Sequence, residues 1–188
     1  MQLVQMSAID KADTAWVLVS TVLVLLMTLP GIALFYAGLV RRKNVVNTLA
    51  SVFAVACVVA LMWLGLGYSL AFSKGTAWLG GLDKAWFADM RLIGSNSTVA
   101  VNHLAPHLPE AVFALFQMAF AAITTTLILG AVVERMRFAA LVLFGALWSV
   151  LVYAPVAHWV WEADGWLYKL GALDFAGGAV VHVNAGVA

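Results

Sequence analysis

Residues 110–161, EAVFALFQMAFAAITTTLILGAVVERMRFAALVLFGALWSVLVYAPVAHWVW, decide the fold. They hold two long apolar runs, at about 110–133 and 138–161, separated by a short turn that carries Arg135 and Arg137. A helix needs about 20 consecutive apolar residues to cross a membrane, because the hydrocarbon core is about 30 Å thick. Both runs reach that length. The sequence therefore predicts two membrane-spanning helices here.

The composition extends this prediction to the whole chain. Of the 188 residues 64% are hydrophobic and 10% charged, and the mean hydropathy is +1.00, whereas soluble domains are about 45–50% apolar and about 25% charged. Two further runs, at about 14–39 and 45–72, are also long enough to span. We therefore expect an all-α membrane protein in a lipid bilayer. With a net charge of +1 and no basic stripe, nucleic acid is not an expected partner.

No feature of the sequence predicts an enzyme, a metal site or a cofactor. His103 and His107 have a spacing that metal ligands use, but no Cys or carboxylate cluster accompanies them. The chain is therefore expected to be a non-enzymatic membrane protein.

Positive charges predict the orientation of the helices. Five of the ten Lys and Arg residues lie in two short turns, after the first and the third run. They are Arg41, Arg42, Lys43, Arg135 and Arg137. Short loops rich in Lys and Arg stay in the cytoplasm. We therefore predict a multi-pass protein of the cell membrane with an external N-terminus, in which residues 73–109 form an external loop.

Four ionisable residues near the ends of the runs are expected to have ordinary roles. Glu162 and Asp164 should be solvated, and Glu134 should pair locally with the neighbouring arginines. His158, near the external end of the fourth run, should face lipid headgroups.

His182 is an ionisable residue placed inside a predicted membrane-spanning helix. It lies in a fifth run, 175–188, which at 1.5 Å per residue reaches about 21 Å, so we expect further sequence or a partner to complete this span. An ionisable side chain in hydrocarbon usually faces a cavity or a partner. His182 is thus predicted to line a path for ions, protons or a small ligand. Small neighbours such as Gly178 and Ala185 let another backbone approach, which should bury the imidazole in protein.

Two phenylalanines are predicted to share the level of His182. If the fifth helix begins near Asp174, His182 lies about 12 Å below its start. The third helix begins on the same side near Glu110, which places Phe116 about 9 Å and Phe120 about 15 Å deep. Residues four apart lie on one helix face, so both rings should point toward the same space.

Aromatic faces at the external mouth suit a small cation. Phe116 and Trp161 together are predicted to attract one by cation–π interactions worth about 0.5–2 kcal/mol each. An ammonium ion recruited there would lose its proton near the phenylalanines and pass His182 as a neutral molecule. The alternative is that the aromatic pair faces lipid or packs in the core. Asp174 stands where a helix N-cap belongs.

Several stretches resemble the Amt/MEP ammonium transporter family and occur in the same order. They are LPGIALFYAGLVR at 29–41, GYSLAF at 67–72, FQMAF at 116–120 and DFAGGAVVHVNAGVA at 174–188. The resemblance covers nearly the whole chain. It implies the N-terminal five-helix half of an eleven-span ammonium transporter fold, with the fifth helix truncated. In such inverted repeats the site lies between the two halves.

The resemblance also implies roles for single residues. Phe116 and Trp161 match the external ammonium recruitment site, and Phe120 matches one of two gate phenylalanines. His182 matches the first of two pore histidines, and Asp174 matches an acid that supports the recruitment site. The second gate phenylalanine and the second histidine have no counterpart here, so the chain alone is not expected to form a complete pore.

The remaining implications concern the inner pore and the partners. Tyr36 is expected to line the inner pore. The substrate would be ammonium, ammonia or methylammonium, the assembly a homotrimer, and the regulator a PII-type protein.

Two other functions remain open. The same scaffold could serve an ammonium sensor whose signalling module follows Ala188. A haem- or quinone-binding protein could use His158 and His182 as axial ligands, although no redox motif accompanies them.

Overall fold

The computed structural model describes residues 2–88, 90 and 98–188 and is mostly helical. The helices are α1 (Lys11–Leu39), α2 (Arg42–Phe72), α3 (Glu110–Val132), α4 (138–161), α5 (Trp166–Lys169) and α6 (Gly178–Val187). By length and composition α1 to α4 could each cross a membrane, whereas α6 is shorter. The predicted all-α membrane class is confirmed.

The structure adds a short antiparallel strand pair that the sequence did not predict. Strand β1 (Gln2–Gln5) pairs with β2 (Thr98–Val101), and Gln2 lies opposite Val101. The pairing ties the N-terminal residues to the segment that precedes α3. The helix α1 follows after Asp10, whose side chain accepts hydrogen bonds from the amides of Ala12 and Asp13 at 2.8 and 2.9 Å.

Helix α3 is the centre of the bundle. It contacts α1, α2, α4 and α6, and small or Thr side chains dominate its buried face, where they let the neighbouring backbones approach. The hydroxyls of Thr124 and Thr125 bond to the carbonyls of Phe120 and Ala121 at 2.6 and 3.0 Å, so these buried polar groups are satisfied within the helix. Helix α3 therefore forms a well-packed support for the phenylalanines that it carries.

Four of the long or terminal helices contain a π-helical segment, and α3 does not. The segments are Met27–Ile32 in α1, Trp63–Gly67 in α2, Ser149–Tyr153 in α4 and Gly178–Val183 in α6. Pro30 explains the first, because proline has no amide hydrogen for the usual helical bond. Such segments are frequent at functional sites, and the last of them contains His182.

Candidate functional site

Three aromatic rings from α3 and α4 lie together near one end of the bundle. The ring centroids of Phe116 and Phe120 are 5.0 Å apart and the rings are nearly perpendicular, at 88°. The ring of Trp161, at the end of α4, lies 6.2 Å from that of Phe120 at 75°. The two phenylalanines thus do point toward the same space, and the structure brings the predicted tryptophan to them.

The orientation of Trp161 is fixed from two sides. Its Nε1–H donates a hydrogen bond to the main-chain carbonyl of Asp174 at 3.2 Å. On another side the ring stacks on Phe72 of α2, with centroids 6.5 Å apart and an angle of 12°. The indole is therefore held by its polar edge and by one face.

Asp174 caps the start of α6 from outside the helix. Its Oδ2 accepts hydrogen bonds from the amides of Ala179 and Val180 at 3.1 and 2.9 Å. The chain reaches the helix through Gly177, which has a φ of +82°, a left-handed conformation that favours glycine. The expected capping role of Asp174 is therefore present, although the residue stands four positions before Gly178 rather than at the N-cap itself.

The aromatic rings and the start of α6 enclose a cleft, which we call the aromatic cleft, of about 260 Å³. Its lining is Phe116, Gln117, Phe120, Trp161, Asp174, Phe175, Ala176 and Gly177. Four of the six residues singled out from the sequence line it. His182 and Tyr36 do not.

His182 lies beyond the aromatic cleft, in the π-helical segment of α6. Its amide bonds to the carbonyl of Gly177, five residues earlier, at 3.1 Å. The residue is exposed, so the expected burial of the imidazole among small residues is not found in this chain. The reason is that α6 packs on α3 and α4 through Val180 and Val181, which are 0% and 3% exposed, while the opposite face stays open.

Tyr36 lies at the other end of the bundle. Its hydroxyl donates to the carbonyl of Leu127 at 2.8 Å, and a Cβ added to Gly130 would lie 2.6 Å from its ring. Gly130 is 14 residues from Phe116 along α3, a separation of about 21 Å. Tyr36 therefore borders a second cavity, of about 400 Å³, far from the aromatic cleft.

Glu134 lines this second cavity. Its hydrogen-bond partners differ from those predicted from the sequence. Its Oε1 accepts hydrogen bonds from Asn44 Nδ2 at 2.6 Å and from the amide and Nε of Arg41, each at 3.2 Å. The expected local pairing with Arg135 and Arg137 is therefore wrong, because the turn between α1 and α2 supplies the donors instead. The hydrogen bond from Asn44, followed by those from Arg41, lowers the pKa of the Glu134 carboxyl.

Two further predictions near the end of α4 were wrong. Glu162, expected to be solvated, is 0% exposed, and its Oε1 lies 2.6 Å from His103 Nε2. His158, expected to face headgroups, is also 0% exposed. Its Nδ1 and Nε2 lie 3.0 and 2.8 Å from the carbonyls of Ala71 and Thr76. Both ring nitrogens are thus engaged, which argues against His158 as an axial haem ligand.

Sequence reasoning missed three residues at the aromatic cleft. Phe72 supports the Trp161 ring, although no local pattern distinguishes it from other apolar residues of α2. Gln117 lines the cleft, and its buried Oε1 has no hydrogen-bond partner among the described residues. Phe175 forms the rim and is 92% exposed. Of these three residues, only Gln117 could have been identified from the sequence, because it lies between the two phenylalanines.

The arrangement suits a small cation. Aromatic faces attract cations through the ring quadrupole, and the carboxylate of Asp174 adds a negative charge beside them. No cationic side chain lines the cleft within the described part of the chain. The cleft therefore offers weak attraction for a positive charge.

Comparison with known proteins identifies the family of the chain. The Ammonium Transporter Family matches residues 15–188 of the chain. The chain is 47% identical to the ammonium transporter of Bacillus subtilis over 179 residues, and 46% identical to that of Aquifex aeolicus over 180 residues. These alignments cover 95% and 96% of the chain but 42% and 41% of the relatives, so the chain spans about two fifths of their length.

Solved structures of similar fold exist as well. The crystal structure of Candida albicans Mep2 matches with a TM-score of 0.82 and 37% identity, over 97% of this chain and 39% of that one. A structure described as a sensor Amt protein matches with a TM-score of 0.79 and 26% identity, over 93% of this chain and 41% of that one.

Proposed function

The chain belongs to the ammonium transporter family, and we propose on that basis that it supplies the first half of an ammonium pathway through the cell membrane. The observation that carries the proposal is the aromatic cleft, in which Phe116, Phe120 and Trp161 surround a space of about 260 Å³. Its relatives in Bacillus subtilis and Aquifex aeolicus are described as ammonium transporters.

In this proposal the cleft recruits ammonium or methylammonium from outside. Phe116 and Trp161 attract the cation by cation–π interactions of about 0.5–2 kcal/mol each, and Asp174 supports the site by ordering the start of α6. Phe120 acts as a gate at the inner side of the cleft.

His182 follows the gate along the proposed path. The imidazole would accept and donate hydrogen bonds to ammonia once the ammonium ion has lost its proton near Phe120. Tyr36 borders the inner exit. Because His182 is exposed in this chain, the opposite wall of the path must come from other protein, as it does where two inverted halves enclose a site.

The proposal extends to the setting of the protein. The N-terminus would be external and residues 73–109 would face outward, because short loops with Lys and Arg remain cytoplasmic. We also propose that the protein assembles as a homotrimer and that a PII-type protein regulates it.

An uptake measurement tests the proposed function. The protein at its full natural length is reconstituted into lipid vesicles, and the entry of labelled methylammonium is followed at increasing concentration. We expect saturable uptake that ammonium inhibits. Vesicles that bind the label without taking it up would contradict transport.

A sensor is the second candidate, because the chain also matches a sensor Amt protein at 26% identity. A sensor would bind ammonium in the same cleft without net uptake. Retained binding in the vesicle experiment, together with absent uptake, would favour this function.

A further inference from the structure

The outer segment between α2 and α3 is bonded to both helices that carry the aromatic cleft. Two adjacent residues that follow β2, Asn102 and His103, make these bonds. Asn102 is 0% exposed, and its neighbour reaches the buried Glu162 at the end of α4. The pair therefore links the start of α3 to the end of α4.

Asn102 belongs to a buried polar cluster at the start of α3. Its Nδ2 donates to Tyr68 Oη at 3.0 Å and lies 3.4 Å from Glu110 Oε1. Glu110, the first residue of α3, is 2% exposed, accepts a hydrogen bond from Tyr68 Oη at 2.9 Å and forms an ion pair with Lys84. A carboxylate with this many partners is held firmly, because breaking a buried pair leaves an uncompensated charge. The beginning of the helix that carries Phe116 and Phe120 is thus anchored.

His103 anchors the end of α4 in the same way. Its Nε2 lies 2.6 Å from Glu162 Oε1, and Glu162 directly follows Trp161 in sequence. The other oxygen, Oε2, is buried without a partner among the described residues. The bond to His103 is therefore the one side-chain hydrogen bond described for this buried carboxylate, and it acts one residue from the tryptophan of the cleft.

We propose that Asn102 and His103, which we call the outer clamp, are positioning residues that fix the two aromatic walls of the cleft relative to each other. This inference rests on the proposed role of the cleft in ammonium recruitment. The cation–π attraction requires a cation within about 6 Å of a ring centroid. An outward shift of Trp161, away from α3, would move its ring away from a cation held beside Phe116 and so weaken one of the two contacts.

Replacing Glu162 tests the clamp. Glu162→Met removes the acceptor of the His103 hydrogen bond while filling a similar space. We expect the half-saturation concentration for methylammonium uptake to rise about fivefold, equivalent to about 1 kcal/mol, with the maximum rate per folded protein nearly unchanged. Glu162→Gln keeps an oxygen that accepts from His103 and should restore the half-saturation concentration to near the original value.

Two further variants complete the experiment. His103→Phe removes the same hydrogen bond from the less buried side and should reproduce the effect of Glu162→Met, so that failure of one variant to fold leaves the other to decide. Asp164→Ala is the matched control. It removes an exposed pair with Lys169, 3.8 Å long, close to Glu162 but without a bond to the clamp, and should change nothing.

The outcomes separate the clamp from the function that it serves. Saturable uptake by the unaltered protein with an unchanged half-saturation concentration in Glu162→Met would overturn the clamp alone. A Glu162→Gln variant as impaired as Glu162→Met would also overturn it, because charge rather than the bond would then matter. Absent uptake by the unaltered protein, with methylammonium binding retained and weakened in Glu162→Met, would overturn transport but support the clamp.

Discussion

The aromatic cleft and the surroundings of His182 differ in how much of their wall this chain supplies. At the cleft, α3, α4 and the residues just before α6 form the lining, and Trp161 is held by both Phe72 of α2 and Asp174. Around His182 only one side of α6 is packed, and the imidazole is exposed. In this chain the aromatic cleft is thus organised by partners on several helices, whereas the face of α6 that carries His182 is not covered by the described residues.

The largest effect on stability should come from Gly177, which connects the aromatic cleft to the helix that carries His182. Gly177→Ala would place a Cβ 2.7 Å from Val181 Cγ2, at a φ of +82°. Left-handed backbone costs about 1–2 kcal/mol for a residue with a Cβ, and the clash adds to it. We expect a clear fall in the thermal unfolding midpoint, followed by circular dichroism. Gly171→Ala is the control, because its φ is +87° but nothing lies within 4 Å; an equal fall in both variants would contradict the tight contact at Gly177.

His182→Ala should lower methylammonium uptake without lowering the stability of the protein. Substitutions of exposed side chains usually change stability by no more than about 0.5 kcal/mol, so the unfolding midpoint should stay nearly constant. The maximum rate of methylammonium uptake should fall several-fold, because the proposed path loses its hydrogen-bonding group. The neighbouring Val183→Ala, 62% exposed in the original, should leave both unchanged. Full uptake by His182→Ala would remove the histidine from the path.

Phe116→Leu should act on the aromatic cleft alone. The variant removes one aromatic face and its 5.0 Å contact with Phe120. We expect the half-saturation concentration for methylammonium to rise about two- to fivefold, because one cation–π contact at a partly exposed site is worth about 0.5–1 kcal/mol. Leu115→Val, on the exposed side of the same helix, is the control. A lower maximum rate without a change in half-saturation would contradict a recruitment role.

The smallest effect should occur at Glu134. Because its folded-state pKa is lowered by Asn44 and Arg41, its stabilising contribution is present above the unfolded-state pKa of about 4.3. It is lost as the pH falls through the folded value. Glu134→Gln should therefore be slightly less stable than the original at neutral pH, and the two unfolding midpoints should converge below about pH 4. A difference that grows on acidification would contradict this sign.

The long helices could be predicted from the sequence because each is an uninterrupted apolar run. The contact between Phe116 and Phe120 followed from their spacing of four. The burial of Glu162 could not be predicted, since its partner His103 is 59 residues away in the sequence. The same holds for Glu134, whose donors come from the turn between α1 and α2. The exposure of His182 depends on which helices pack around α6. The small residues near His182 in the sequence do not determine that packing.

The central claim is that Phe116 and Trp161 recruit ammonium, and one pair of variants tests it most directly. Trp161→Leu and Trp159→Leu remove the same side chain two residues apart, but Trp159 lies outside the aromatic cleft and bonds to the carbonyl of Trp78 at 2.7 Å. We predict that the half-saturation concentration for methylammonium uptake rises about tenfold in Trp161→Leu, equivalent to about 1.4 kcal/mol, and stays near the original value in Trp159→Leu. Equal half-saturation concentrations in the two folded variants would contradict the claim.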